Sequence, residues 1–150
     1  NDNKDEFEKI FRTVLYSFDF ANFYFIGLND IGEREKGEIR NIDWLKKELR
    51  KNRRKKIILF FHIPYFLCKN QEDISSILNS SSVILTLCGH MNLEFQIKEG
   101  KVLHWCGDGF FKENHPFYQF IVDKNSFYLR KISEKDGNFK ILPPQSLIKK

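Results

Sequence analysis

A chain of 150 residues with 41% hydrophobic and 15% aromatic residues carries ample core-forming material for one globular domain, which excludes disorder throughout. No run approaches the roughly 18 consecutive apolar residues of a membrane span, and the opening residues, with Asp2, Lys4, Asp5 and Glu6, lack the pattern of a signal peptide, so the expectation is a cytoplasmic protein. The formal net charge of +5 is a modest excess. Much of it comes from the run Lys46 to Lys56, which at a helix end suits the negative pole of the helix dipole and reads as a solvated face. No aromatic residue is interleaved with it to stack bases, so nucleic acid is the weaker reading of that run. The chain begins at Asn1 and its single methionine is Met91, which reads as a processed product or a fragment.

In chain order, Asp5 to Leu15 spaces Phe7, Ile10, Phe11, Val14 and Leu15 as the apolar face of a helix with acidic residues in its first turn. Asn22 to Leu28 reads as a strand, and Asn29 to Arg40, polar and holding Gly32 and Gly37, as a loop to a helix near Ile42 to Lys51. Ile57 to Phe61 is a continuous apolar run stopped by His62 and Pro64, as in strands buried on both faces of a sheet. A helix over Ile74 to Leu78 leads to a second such run, Val83 to Cys88, stopped by Gly89 and His90. Short alternating segments follow: Leu93 to Lys98, Val102 to Cys106, Phe117 to Val122 and Phe127 to Ile132, separated by turn residues such as Glu99-Gly100 and Lys124-Asn125. These predict antiparallel hairpins, with an edge strand at Asn138 to Leu142 before Pro143 and Pro144 end the regular structure. The fold class is therefore α/β, parallel strand-helix units first and a meander second, with no repeat and no linker dividing the chain. Cys68, Cys88 and Cys106 are too widely spaced for a C-x-x-C motif and read as reduced core cysteines.

In a parallel α/β sheet, ligands bind outside the carboxyl ends of the strands. His62 and His90 occupy that end of two consecutive buried strands, and two neutral imidazoles there have lone pairs for a shared divalent ion. By spacing alone, capping or packing histidines account for them equally well.

The local strings add a resemblance. Phe60-Phe61-His62-Ile63-Pro64 resembles the H-x-P segment of calcineurin-like metallophosphoesterases, and Gly89-His90-Met91-Asn92 resembles their terminal G-H-x-H segment. Trp44 to Leu49 is similar to the helix before the H-x-P strand, and the hairpins through Val102 to Cys106 and Phe117 to Ile132 to the strands that close the family's second sheet. The likeness covers about Asn22 to Ile132. It implies part of a two-sheet mixed β-sandwich flanked by helices, with a dinuclear centre of divalent ions (Mn, Zn or Fe) that hydrolyses a phosphoester, either a monoester or a diester.

By that resemblance His62 and His90 ligate the same ion, and Asn92 stands where the family's last histidine ligates the other. A neutral amide oxygen is a poorer donor than imidazole to zinc or iron, so the second ion is expected to be weaker or absent. The family's earlier motifs, an aspartate-histidine pair, G-D-x-x-D and G-N-H-E/D, do not occur here, so the chain reads as the C-terminal portion of one domain, inactive in isolation. Loss of that half is expected to remove the neighbours of the strands Asn22 to Leu28 and Ile57 to Phe61, to leave apolar edges and faces uncovered there, and hence to require the missing N-terminal half or a second copy of the chain. A degenerate fold serving as a binding or scaffolding module is the alternative. Asp30 reads as a turn residue, His104 as packed or exposed in a hairpin strand, and Asp108 and His115 as parts of a surface loop, each with a lesser case for lining the site. No nucleophilic serine or cysteine signature is present.

Overall fold

The computed structural model describes residues 15–28, 30–33, 36–109, 116–135 and 137–148. The elements follow as β1 (Tyr16–Phe20), β2 (Phe23–Gly27), β3 (Asp30–Glu33), β4 (Lys36–Ile39), α1 (Ile42–Lys51), β5 (Lys56–Phe60), a 3-10 turn (Tyr65–Leu67), α2 (Gln71–Ser80) and β6 (Val83–Cys88). Then come β7 (Phe95–Glu99), β8 (Val102–Cys106), β9 (Phe117–Asp123), β10 (Ser126–Lys135), β11 (Asn138–Ile141) and β12 (Gln145–Ile148).

The apolar runs form the centre of a six-stranded sheet ordered β1-β2-β5-β6-β8-β7, in which β2, β5, β6 and β8 are parallel and the two outer strands antiparallel to their neighbours. β5 shows why its run is uninterrupted. Ile57 and Leu59 enter a core that holds Leu45 and Leu49 of α1 and Ile74 and Leu78 of α2. Ile58 enters the opposite core with Phe23, Phe25, Leu85, Trp105, Phe127 and Leu129. All three β5 residues are fully buried, so each contributes about 1.5–3 kcal/mol of transfer free energy.

The second core is closed by a smaller antiparallel sheet in which β10 pairs with β9 along one side and with β11 and β12 along the other. Helices thus cover one face of the large sheet and a second sheet covers the other, the expected α/β sandwich.

Four local expectations are corrected. Tyr16 to Phe20, outside every predicted element, is strand β1. Asn29 to Arg40 is not simply a loop: β3 and β4 form a hairpin there, with Gly32 opposite Gly37. Regular structure resumes after Pro143 and Pro144 as β12, which pairs with β10. Finally, β2 lies between β1 and β5, and β5 between β2 and β6, so neither is an edge of the sheet. The helix expected over Asp5 to Leu15 falls outside the described residues apart from Leu15, which precedes β1 in an irregular conformation.

Candidate metal centre at the strand ends

Parallel pairing continues past the last residues of β5, β6 and β8, and this sets the two histidines side by side. Phe61 N–H donates to Leu87 O (3.1 Å), Gly89 N–H to His62 O (2.9 Å) and Gly107 N–H to Cys88 O (2.9 Å). His62 and His90 are therefore held by a ladder of backbone bonds rather than by free loops. Their rings stand nearly perpendicular, at 84°, with centroids 5.1 Å apart, and His90 Nδ1 lies 3.2 Å from His62 Nε2. Two nitrogens each about 2.1 Å from one ion are separated by about 3.0–3.4 Å for octahedral to tetrahedral angles, so the separation of the pair matches that of two ligands of one ion. In the absence of an ion the same contact is a hydrogen bond in which one ring nitrogen is protonated and the other is not.

The backbone around the second histidine is unusual. His90 has φ 68° and Asn92 φ 51°, both in the left-handed region that non-glycine residues seldom adopt. Met91 N–H closes a tight turn onto Gly89 O at 2.8 Å, and the Cys106 thiol donates to the same carbonyl at 2.9 Å. Burial pushes the Cys106 thiol up, against a lowering contact from Cys88, so it stays protonated and serves as a donor. Backbone held in such conformations is commonly found where a side chain must be aimed. Here His90 is aimed across the strand ends at His62.

On the other side of His62, Pro64 ends the extended segment and Ile63 is driven into the helix-side core. Ile63 reaches β4 at Gly37, where an added Cβ would meet Ile63 Cδ1 at 2.5 Å. Asn70 then clips the hairpin to this loop: its Nδ2 donates to Ile39 O at 2.9 Å, and Ile39 N–H donates to its Oδ1 at 3.3 Å.

The remaining candidates lie as follows. Asn92 is exposed, and its amide packs so closely on Gly109 that an added Cβ there would run into Asn92 Oδ1. The amide thus lies against the loop at Gly109. Asp108 turns its carboxylate back to accept from Gly109 N–H at 2.9 Å, and its own N–H donates to Tyr118 Oη at 3.0 Å. His104 is buried within β8, its Nδ1 2.8 Å from Thr86 Oγ1. Asp30 opens β3, opposite Ile39, and His115 falls outside the described residues. Glu94, Tyr118 and Lys131 were not legible as a group: Glu94 Oε2 accepts from Tyr118 Oη (3.1 Å) and Lys131 Nζ (2.6 Å) across 24 and 37 residues of sequence. Among the described residues no group of three or more His, Cys, Asp and Glu is arranged to hold a metal ion.

Beside His62 the two sheets part. A cleft of about 570 Å³ runs from Tyr16 and Phe60 past Leu87 and Trp105 to Phe120, and its mouth includes His62. The Trp105 Nε1 donor is buried without a partner among the described residues.

No family model and no curated protein matches the sequence. Solved structures do. A dimetal phosphatase from Danio rerio aligns over 94% of this chain and 62% of its own length at 14% identity, with a TM-score of 0.73. GAP50, the anchor in the inner membrane complex of Plasmodium, aligns over 91% of this chain and 54% of its own at 17% identity, with a TM-score of 0.57. The chain has the calcineurin-like metallophosphoesterase fold. It spans less than two thirds of the length of either of these two structures.

Proposed function

We propose that the intact protein is a metal-dependent phosphoester hydrolase and that this chain contributes His62 and His90 to one of its two metal sites. The observation that carries this is the 3.2 Å approach of His90 Nδ1 to His62 Nε2 at the ends of two parallel strands, in a fold similar to that of a dimetal phosphatase. Divalent ions at such a site bind phosphate, lower the pKa of a bound water and stabilise the charge of an in-line displacement. The chain's own part is to present two imidazoles at a fixed separation, with His90 oriented by its left-handed backbone. Asn92, turned toward Gly109, fits a second site that is weaker or differently made.

The remaining ligands would come from a polypeptide that carries the family's earlier motifs or from a second copy of the chain. The open cleft between the sheets at the His62 end favours such a partner, because apolar walls of this extent are normally covered. Equilibrium dialysis of the full-length protein against zinc or manganese, read by elemental analysis, is expected to show bound metal that is lost in His62→Ala and His90→Ala, together with hydrolysis of a generic aryl phosphate. Metal content unchanged in both variants rejects the assignment. A second reading, a degenerate fold used as a scaffold, is favoured by Asn92 in place of histidine. Two tightly held ions per intact protein would count against it.

A further inference from the structure

We infer that the groove between α1 and α2, at the far end of the sheet from His62 and His90, binds a small phosphate-bearing anion. α1 and α2 precede β5 and β6, so their C-terminal ends stand over the amino ends of strands whose carboxyl ends carry the histidines. Lys46, Arg50 and Arg53, spaced by four and three residues, line one wall. Ser76, Ser80 and Ser82 line the other, and Leu49 and Ile77, both buried, form the floor. The groove encloses about 440 Å³ and has no carboxylate in its lining, a size within the range of small-molecule sites, about 300–1,000 Å³.

Charge complementarity commits the groove to an anion. Among the described residues, the side chains of Lys46, Arg50 and Arg53 make no ion pair or hydrogen bond, although the Arg53 carbonyl accepts from the Ser82 hydroxyl, whereas the side chains of Lys55 and Lys131, elsewhere in the chain, each pair with a carboxylate at 2.6 Å. The helix dipole explains basic residues at the end of α1 but not the absence of acidic residues from both walls. The carbonyls at the end of α2, which would repel an anion, are in part already occupied: Ser80 Oγ donates to Ser76 O at 2.8 Å and Ser81 Oγ to Leu78 O at 3.1 Å. Ser76 adds a hydroxyl-bearing residue to the lining. Two guanidinium groups and a lysine around one opening suit phosphate oxygens, which arginine binds through paired N–H groups. The apolar floor accommodates an organic body attached to the phosphate.

Isothermal titration calorimetry on the full chain, at low salt and without divalent ions, tests this with two probes, inorganic tripolyphosphate and adenosine 5′-triphosphate. Both are expected to bind, the nucleotide more tightly if the floor takes an organic group and equally if the site reads phosphate alone. Arg50→Glu with Arg53→Glu is expected to weaken binding by about tenfold or more, and Arg50→Lys with Arg53→Lys by less. Lys98→Glu with Lys140→Glu, exposed lysines outside the groove, changes net charge equally and is expected to leave binding within about twofold. Absence of binding by both probes overturns the inference. So does an equal loss in the Lys98 and Lys140 control, which would mark a general charge effect. Loss in His62→Ala with His90→Ala would move the phosphate to the strand-end site and likewise overturn it, whereas failure of the metal assignment leaves this groove untouched.

Discussion

His104 is 3% exposed and Thr86 1%, so two polar side chains sit in the sheet where apolar ones would pack as readily. They satisfy one another at 2.8 Å, and the second ring nitrogen of His104 faces Glu99 at 3.8 Å. Glu99 in turn accepts from the hydroxyls of Tyr65 and Ser75. Burial holds His104 below the ordinary histidine range against the opposing pull of Glu99, so the ring is neutral in the folded chain. The unfolded chain takes up that proton near pH 6.5 and the folded chain only at lower pH, so stability is complete above about 6.5 and falls as acid is added. Burial first and Glu99 second push Tyr65 up to about 12, which predicts a second loss between about pH 10 and 12, where the unfolded chain alone releases the proton. The urea midpoint of the native chain is expected to fall between about pH 7.5 and 5.5. His104→Gln is expected to be less stable at the higher pH yet to show a flatter change; an unaltered fall would assign the titration to another group. The sequence alone placed His104 in a strand beside Trp105 but could not tell packed from exposed, because its partners lie 18 and 5 residues away on other strands.

At the level of elements, what was legible followed from uninterrupted apolar runs. Ile57 to Phe61 and Val83 to Cys88 are buried on both faces and admit only one reading, and the histidines that stop them lie side by side because the strands are adjacent and parallel. What was missed lacked that continuity. β1 alternates Tyr16, Phe18 and Phe20 with Ser17 and Asp19, but its turn, Ala21-Asn22, has no glycine, and Ala21 takes φ 52° without the residue that normally marks a tight hairpin. The β3-β4 hairpin is polar and carries two glycines, and its place in the fold comes from distant contacts with Ile63 and Asn70. Gly37 thus tests whether the hairpin positions the His62 loop. Gly37→Ala puts a methyl into Ile63 and is expected to cost about 1–3 kcal/mol. Gly37→Ala with Ile63→Val, which removes the Cδ1 atom nearest the new methyl, is expected to recover part of the loss in a thermal melt. No recovery would show that the strain arises elsewhere.

For the molecule as a whole, the apolar surface left open is a face; of the edges and faces that sequence reasoning expected to be uncovered, the edges of β2 and β5 are paired inside the sheet. Tyr16, Phe18 and Phe20 are 43%, 46% and 56% exposed although they stand on the face that packs against the second sheet, where Phe18 stacks on Phe25 at 5.0 Å and Tyr16 meets Phe60 at 5.1 Å. The second sheet reaches Phe25 through Phe127 but leaves this end uncovered, and Phe117 and Phe120 of β9 are exposed as well. Tyr16 and Phe120 line the cleft and the other three add exposed aromatic surface elsewhere, and aromatic surface of this kind drives association. The chain alone is therefore expected to elute above its 18.0 kDa mass in light-scattering chromatography and to bind an environment-sensitive dye. Phe18→Ser with Phe20→Ser is expected to lower both signals at little expense in stability, since these side chains are about half exposed. A native chain that stays monomeric and dye-silent would mean the cleft closes on itself, and the partner would then have to be sought at another surface.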